Sequence, residues 1–304
     1  MSTHAEFTGG GTRPSPIRIW LLAARPRTLP VGLAPVLVGA ALAIHQDAFR
    51  LLPFLAALLG ALFIQVGANL SNDYSDARRG ADTEDRLGPV RVTAGGLVPP
   101  KQVLIAVYVT FGLAVLVGLY LVVVAGPWLL AVGAASILAG VLYTGGPRPY
   151  GYEGLGEVFV FTFFGLVAVA GSYYVQAEEL PWEAFVFAVP VGLLASAVLV
   201  VNNVRDMETD RRAGKRTSAV RLGREKTRGM FALMVYGAYL VVIGMAIAWS
   251  PWVLVALLSL PLAIKLVRTV RQHTDGPTLN EALAQAGMTE LVFCALLAAG
   301  ILLA

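Results

Sequence analysis

Two short polar segments hold the residues of this chain whose types and spacing could do chemistry. The first runs Asn72-Asp73-Tyr74-Ser75-Asp76-Ala77-Arg78-Arg79-Gly80-Ala81-Asp82. The second runs Asn202-Asn203-Val204-Arg205-Asp206-Met207-Glu208-Thr209-Asp210 and continues to Gly214-Lys215-Arg216-Thr217. On a helix, side chains at i and i+4 share a face one turn apart, which pairs Asn72 with Asp76 and Asp206 with Asp210. Carboxylates so placed repel unless a cation lies between them. Mg²⁺ takes one or two carboxylates and completes its octahedron with water and substrate phosphates. Acids split over two helices therefore suit two Mg²⁺ ions bridging one diphosphate. Asp73, Asp76, Asp206 and Asp210 are the candidate metal ligands, and Asn72 and Asn202 can add oxygens without adding charge. Spacing does not fix the helical face of Asp73. On this reading Asp206→Ala abolishes activity and leaves the chain folded.

A diphosphate also calls for fixed cations. Arginine grips phosphate bidentately and lysine acts as a point charge. Lys215 and Arg216 follow the second motif, Arg78 lies in the first, and Arg25 and Arg27 open the first apolar run within Arg25-Pro26-Arg27-Thr28-Leu29-Pro30. The bland alternative is acidic helix ends paired with nearby arginines, among basic loops that merely anchor a membrane protein.

The elements that position these residues are membrane helices. The chain is 57% hydrophobic and 14% charged, against about 25% charged for a soluble domain. Charge-free runs cover 28–46, 51–72, 102–147, 158–177, 184–204, 229–264 and 291–304. A spanning helix needs roughly 20 apolar residues, so 102–147 and 229–264 are double length. Gly126-Pro127 and Ser250-Pro251 divide them, because proline disfavours helix at the residue before it. The expected fold is all-α with nine spans in a single membrane domain over 17–304, preceded by a disordered tail over 1–16. With the N-terminus inside, all of the 23 Lys and Arg except Arg50 fall on the cytoplasmic side, and the C-terminus lies outside. The opposite loop at 178–183 carries Glu178, Glu179 and Glu183. The net charge of +4 thus reflects topology and attraction to anionic lipid, not a nucleic-acid partner. Cys294 is alone, and His4, His45 and His273 are scattered, which excludes disulfides and thiolate or histidine metal sites.

The connections at 77–100 and 207–228 each follow an acidic motif and are rich in arginine, as expected of basic lids over an anionic substrate. A short repeat relates them: Asn72-x3-Asp76-x3-Gly80 aligns with Asp206-x3-Asp210-x3-Gly214. Each glycine fits the left-handed position after a helix, so the repeat describes two half-sites facing one cavity. A diphosphate site at the mouth of an apolar bundle suits an amphiphile whose tail lies among the helices. Phe159, Phe161, Phe163, Phe164, Tyr173 and Tyr174 could face an allylic cation or simply fill the core.

Several motifs in order resemble the UbiA-type intramembrane prenyltransferases, and within them the 1,4-dihydroxy-2-naphthoate polyprenyltransferase (MenA) family. The likeness rests on Arg25 to Pro30, Asn69 to Asp82, Gly88-Pro89-Val90-Arg91, Tyr143 to Glu157 and Asn202 to Gly223. It implies helices ringed around a central cavity and Mg²⁺-dependent transfer from a polyprenyl diphosphate to 1,4-dihydroxy-2-naphthoate. Loss of CO₂ and diphosphate would give a demethylmenaquinol, in menaquinone biosynthesis at a bacterial inner membrane with the site facing the cytoplasm. Where the superfamily often has a further Asp, this chain has Gly80, and the naphthoate branch offers Asp82 as a metal ligand instead. Asp76, Asp206, Asp210 and Lys215 would carry catalysis. Tyr143, Arg148, Tyr150 and Glu157 are candidates for acceptor binding. The rival within the superfamily is another acceptor, such as hydroxybenzoate or homogentisate. The rival outside it is an ion-coupled secondary transporter, which would place its acids near mid-bilayer on broken helices.

Overall fold

The computed structural model describes residues 14–81 and 87–304. The regular elements among the described residues are all helical, with no strand. In chain order the elements are α1 (Pro16–Ala24), a 3-10 turn (Pro26–Thr28), α2 (Leu29–His45), α3 (Leu51–Arg78), α4 (Pro100–Ala125) and α5 (Leu129–Leu142). A second 3-10 turn (Tyr150–Glu153) leads into α6 (Gly156–Ala177), which carries a π-helical stretch at Phe161–Val167. Then come α7 (Trp182–Arg212), the short α8 (Ser218–Leu222), α9 (Arg224–Ala248), α10 (Pro251–Gln272, 3-10 in its first half) and α11 (Gly276–Leu302). Both expected breaks are present, at Gly126-Pro127 and at Ser250-Pro251. Of the tail expected over 1–16, residues 1–13 lie outside the described residues, and helix already begins at Pro16.

Eight helices among the described residues are long and apolar enough to cross a membrane, counting Pro16–His45 as one. The span expected from the second half of the 102–147 run is shorter than its fellows. α5 has 14 residues, about 21 Å of helix, against a hydrocarbon core of about 30 Å. Charge-free sequence continues to 147, but Gly145-Gly146-Pro147 is turn chemistry, so freedom from charge overstated the helix.

The main apolar core lies among α2, α6, α7, α9, α10 and α11, and a satellite cluster joins α1, α3, α4 and the segment around Val92–Val98. Neighbours pack in a ring: α2 on α3, α3 on α4, α4 on α5, α6 on α7, α7 on α9, α9 on α10, α10 on α11, and α11 back on α2. α5 leans on α3 and α4 but scarcely touches α6. Side chains bridge that gap near its two ends. At one, Trp128 Nε1 donates to Tyr174 Oη at 2.7 Å, and Tyr174 donates to the Ala125 carbonyl at 2.9 Å. At the other, Tyr150 donates to the Ala139 carbonyl at 2.8 Å and stacks on Phe159 at 3.8 Å between centroids.

Candidate active site

The two acidic motifs end two long helices in the same way. α3 stops at Arg78 and α7 at Arg212; Gly80 and Gly214 follow with φ of +65° and +74°. Only a residue without Cβ takes that conformation cheaply. Past each glycine the chain bonds back to the motif aspartate: Ala81 N–H to the Asp76 carbonyl at 3.0 Å, and Lys215 N–H to the Asp210 carbonyl at 2.9 Å. These are Schellman caps, which satisfy carbonyls left open at a helix end. The repeat seen in the sequence is therefore a repeat of backbone geometry. The acids occupy the last turns of their helices, not mid-span breaks, which removes the feature the transporter alternative requires.

Between the helices lies one large cavity of about 630 Å³. Its polar end is lined by Arg25, Asn72, Asp76, Arg91, Asn202, Asp206, Asp210 and Lys215. An apolar bore continues past Phe159, Phe163 and Phe164 towards Val122, Leu130 and Val175. Leu130 is 53% exposed and Val115, also lining the bore, 47%.

Asp76, 1% exposed, is the hub of the polar end. Tyr152 Oη donates to its Oδ1 at 2.7 Å, while Arg91 and Lys215 approach Oδ2 at 3.3 and 3.4 Å. The Lys215 ammonium also stands 3.9 Å from Asp210 Oδ1 and 4.7 Å above the Tyr152 ring. Asp206 lines the cavity but is gripped from behind: Arg205 donates through Nε at 2.8 Å and through Nη2 at 2.6 Å. Arg205 is 2% exposed and also donates to Asn202 Oδ1 and Asn280 Oδ1 at 2.8 and 2.7 Å. Asn72 accepts from the Thr144 hydroxyl at 3.0 Å. Asn69 holds the Arg25 corner by donating to the Ala24 carbonyl at 3.0 Å. Arg25 itself takes a left-handed φ of +56°, a strained setting for a side chain that lines the cavity.

Other expected site residues point elsewhere. Asp73 does not line the cavity; its oxygens accept from the Val92 and Thr93 amides at 3.0 and 2.9 Å. It sits at i+1 from Asn72, about 100° around the helix from that side chain, and it meets the loop. Glu157 is buried outside the lining, bonded to Asn203 Nδ2 at 2.9 Å and to the Ser218 hydroxyl, so it fastens α6 to α7 and α8. Arg27, Arg148 and Arg216 are exposed and do not line the cavity. Arg78 likewise stays outside, donating to Tyr74 Oη at 3.1 Å. Asp82 lies outside the described residues. Tyr143 and Tyr150 do line the cavity. Burial raises the Tyr143 phenol well above its ordinary value, with Glu157, Tyr150, Asp210 and Asp76 adding to the effect, and burial raises Tyr150 too. Both remain neutral hydrogen-bonding groups. Tyr152 and Thr144 also join the site; both lie in the Tyr143 to Glu157 stretch, but their contacts with Asp76 and Asn72 are long-range and no local spacing singles them out.

The donors at the polar end fit Mg²⁺. Asp76, Asp206, Asp210, Asn72 and Asn202 form an all-oxygen set on two helix ends, the chemistry Mg²⁺ prefers. Among the described residues no three acids converge into a cage. That suits an ion completed by water and phosphate oxygens rather than by protein alone. Lys215, a cation already shared by Asp76 and Asp210, marks where positive charge is wanted.

The sequence pattern of the UbiA prenyltransferase family matches residues 32–303. The 1,4-dihydroxy-2-naphthoate octaprenyltransferase of Mycobacterium tuberculosis is 44% identical over 285 residues, covering 93% of this chain and 96% of that protein. Its namesake from Escherichia coli is 40% identical over 286 residues, covering 90% and 93%. Among solved structures, the fold matches a UbiA homolog from Archaeoglobus fulgidus bound to GPP and Mg²⁺, with a TM-score of 0.66 at 16% identity, over 94% of this chain and all of that one. It also matches the apo UbiA homolog from Aeropyrum pernix K1, with a TM-score of 0.68 at 14% identity, over 90% and 97%.

Proposed function

The chain belongs to the UbiA prenyltransferase family, and from that premise we propose that it transfers a polyprenyl group from polyprenyl diphosphate to 1,4-dihydroxy-2-naphthoate. Diphosphate and CO₂ leave, and the product is a demethylmenaquinol for menaquinone biosynthesis. One observation carries the reading beyond the relatives: a cavity whose charged end holds Asp76, Asp206, Asp210 and Lys215 opens directly into an apolar bore. That is the shape of an amphiphilic diphosphate.

Asp76, Asp206 and Asp210, with Asn72 and Asn202, would hold Mg²⁺. When bound, Mg²⁺ neutralises the diphosphate oxygens and eases departure of the group; we propose two such ions. Lys215, Arg25 and Arg91 face the same end and supply fixed positive charge where negative charge grows on the leaving group. Tyr150, Phe159 and Phe163 follow one another as a stacked series along the cavity wall. Their faces offer the allylic carbon cation–π stabilisation of about 0.5–2 kcal/mol each. The neutral phenols of Tyr143 and Tyr150 line the same cavity and would orient the naphthoate.

The tail follows the bore. A long tail would leave sideways, and the gap between α5 and α6 is the route the packing leaves open. The single membrane domain lies in a bacterial inner membrane with the N-terminus and the site cytoplasmic and the C-terminus outside. Arg50, the basic residue assigned to the far side, pairs with Glu178 of the acidic 178–183 loop at 3.1 Å, which supports assigning both to one side.

The test is transfer by the purified protein in liposomes, with polyprenyl diphosphate and 1,4-dihydroxy-2-naphthoate, with and without Mg²⁺. Metal-dependent release of diphosphate and CO₂ with a prenylated naphthoquinol is expected. Product with hydroxybenzoate or homogentisate alone would move the chain to a sibling activity.

A further inference from the structure

The segment Gly88-Pro89-Val90-Arg91-Val92-Thr93-Ala94-Gly95-Gly96 forms a tight turn on the flank of α3. Gly95 N–H bonds to the Arg91 carbonyl at 2.9 Å and Leu97 N–H to the Val92 carbonyl at 2.9 Å. A Cβ on Gly95 would meet the Arg91 carbonyl oxygen at 2.7 Å, so the turn needs glycine there. Val92 is fully buried, packed with Leu70 and with Ile19 and Ala23 of α1. At the start of such a turn the first amides have no partner within it. Asp73 supplies one: both its oxygens accept, from Val92 N–H and from Thr93 N–H. It acts as a cap delivered from a different helix. A buried carboxylate that meets two backbone amides is charge-assisted on both sides and hence a firm clamp.

The residue just before the clamped amides is Arg91. Its guanidinium lies 3.3 Å from Asp76 Oδ2, lines the cavity and is 8% exposed. Asp73 and Asp76 stand three apart on α3, so one helical turn grips the loop twice: Asp73 by its backbone and Asp76 by its arginine.

We propose that Asp73 is a positioning residue: by clamping the Val92 and Thr93 amides it fixes Arg91 at the polar end of the cavity, where Arg91 grips the donor diphosphate. This rests on the prenyl-diphosphate reading above. It gives the first motif a division of labour, in which Asp76 faces the charge of the donor and Asp73 builds the loop that faces it from the other side.

The experiment compares Asp73→Ala, Asp73→Asn, Arg91→Gln and the Asp73→Ala/Arg91→Gln double variant in liposomes. KM for polyprenyl diphosphate, kcat and the Mg²⁺ concentration for half activation are measured. Hydrogen exchange of a peptide spanning 88–98 is followed in parallel. Asp73→Ala and Arg91→Gln should each raise the donor KM about tenfold, the worth of one lost charge-assisted contact. The Mg²⁺ midpoint should move less than twofold, and the double variant should be no worse than the poorer single. Exchange at 92–93 should accelerate in Asp73→Ala and stay protected in Arg91→Gln. Asp73→Asn keeps the shape and one acceptor, so it should fall between wild type and Ala; it keeps the test open if Ala does not fold. A shifted Mg²⁺ midpoint with an unchanged donor KM would make Asp73 a metal ligand and overturn the proposal. So would unchanged exchange at 92–93, or fully additive effects. Failure of the wild type to use the naphthoate would count against the assigned reaction, while the exchange arm would still decide the clamp.

Discussion

The Lys215 ammonium stands 3.4 Å from Asp76 Oδ2, tying the end of α7 to the end of α3 across the mouth of the cavity. Backbone geometry delivers it there. Gly214 turns the chain left-handed, the Lys215 amide bonds to the Asp210 carbonyl, and the side chain falls between the two acids. The same cation thus offsets Asp76 and Asp210 and faces the place where a diphosphate would leave.

Lys215→Met should therefore lower kcat by about 10²–10³, the usual loss when one fixed group stabilising developing charge is removed. Lys215→Arg should recover part of it, because a planar fork cannot reproduce a point charge seated 4.7 Å over the Tyr152 ring. Diphosphate release at saturating donor is the measurement. A Met variant with wild-type kcat would remove Lys215 from the leaving-group step.

Asp206 and Asp210 should part company on stability. Asp206→Ala leaves Arg205 nearly fully buried without its bidentate partner, a loss of about 3–5 kcal/mol. The spacing alone implied that this variant would stay folded; the ion pair argues otherwise. Asp210→Asn should cost less, since Lys215, the cation 3.9 Å from Asp210, retains Asp76. Thermal unfolding in detergent should show a large drop for Asp206→Ala and a small one for Asp210→Asn, with activity lost in both. Equal midpoints would mean that Asn202 and Asn280 suffice for Arg205.

What could be read from sequence was whatever is local. The two motifs, their capping glycines and the breaks at Gly126-Pro127 and Ser250-Pro251 follow from helical spacing and turn chemistry, which act over a few residues. The errors came where direction or distance matters. Arg27, Arg78 and Arg216 lie one or two residues from Arg25, Asp76 and Lys215, which line the cavity, yet that offset turns a side chain to another face. Asp73 is adjacent to Asn72 and faces a loop for that reason. Tyr152 reaches Asp76 from 76 residues away, and Arg91 comes back over 15. Such contacts exist only once the bundle has closed.

The phenols at the cavity predict a pH dependence of stability. Burial first, then neighbouring carboxylates, raise Tyr143; burial raises Tyr150. Both keep their protons in the folded state after the unfolded chain has begun to lose them near pH 10. The native state then binds more protons than the unfolded one, so stability falls as pH rises above about 10 and is fully present below it. The thermal midpoint of wild type should decline more steeply over that range than that of a Tyr143→Phe/Tyr150→Phe variant. Parallel curves would mean that lysine titration alone sets the slope.

The gap between α5 and α6 makes a prediction about chain length. Gly133 on α5 and Gly171 on α6 line the bore, and a Cβ on either would meet nothing within 4 Å. A large side chain there enters empty space instead of clashing, so Gly133→Phe and Gly171→Phe should fold normally. If the tail of the donor runs along this bore and out beside α5, the added ring obstructs distal isoprenes and spares the diphosphate end. The expected result is a loss of about tenfold or more in kcat/KM with an octaprenyl donor, equivalent to about 1.4 kcal/mol. With geranyl diphosphate, whose two units need not reach the gap, the change should stay within about threefold. An equal loss with both donors would place the obstruction at the reacting end. No loss with either would send the tail out between another pair of helices.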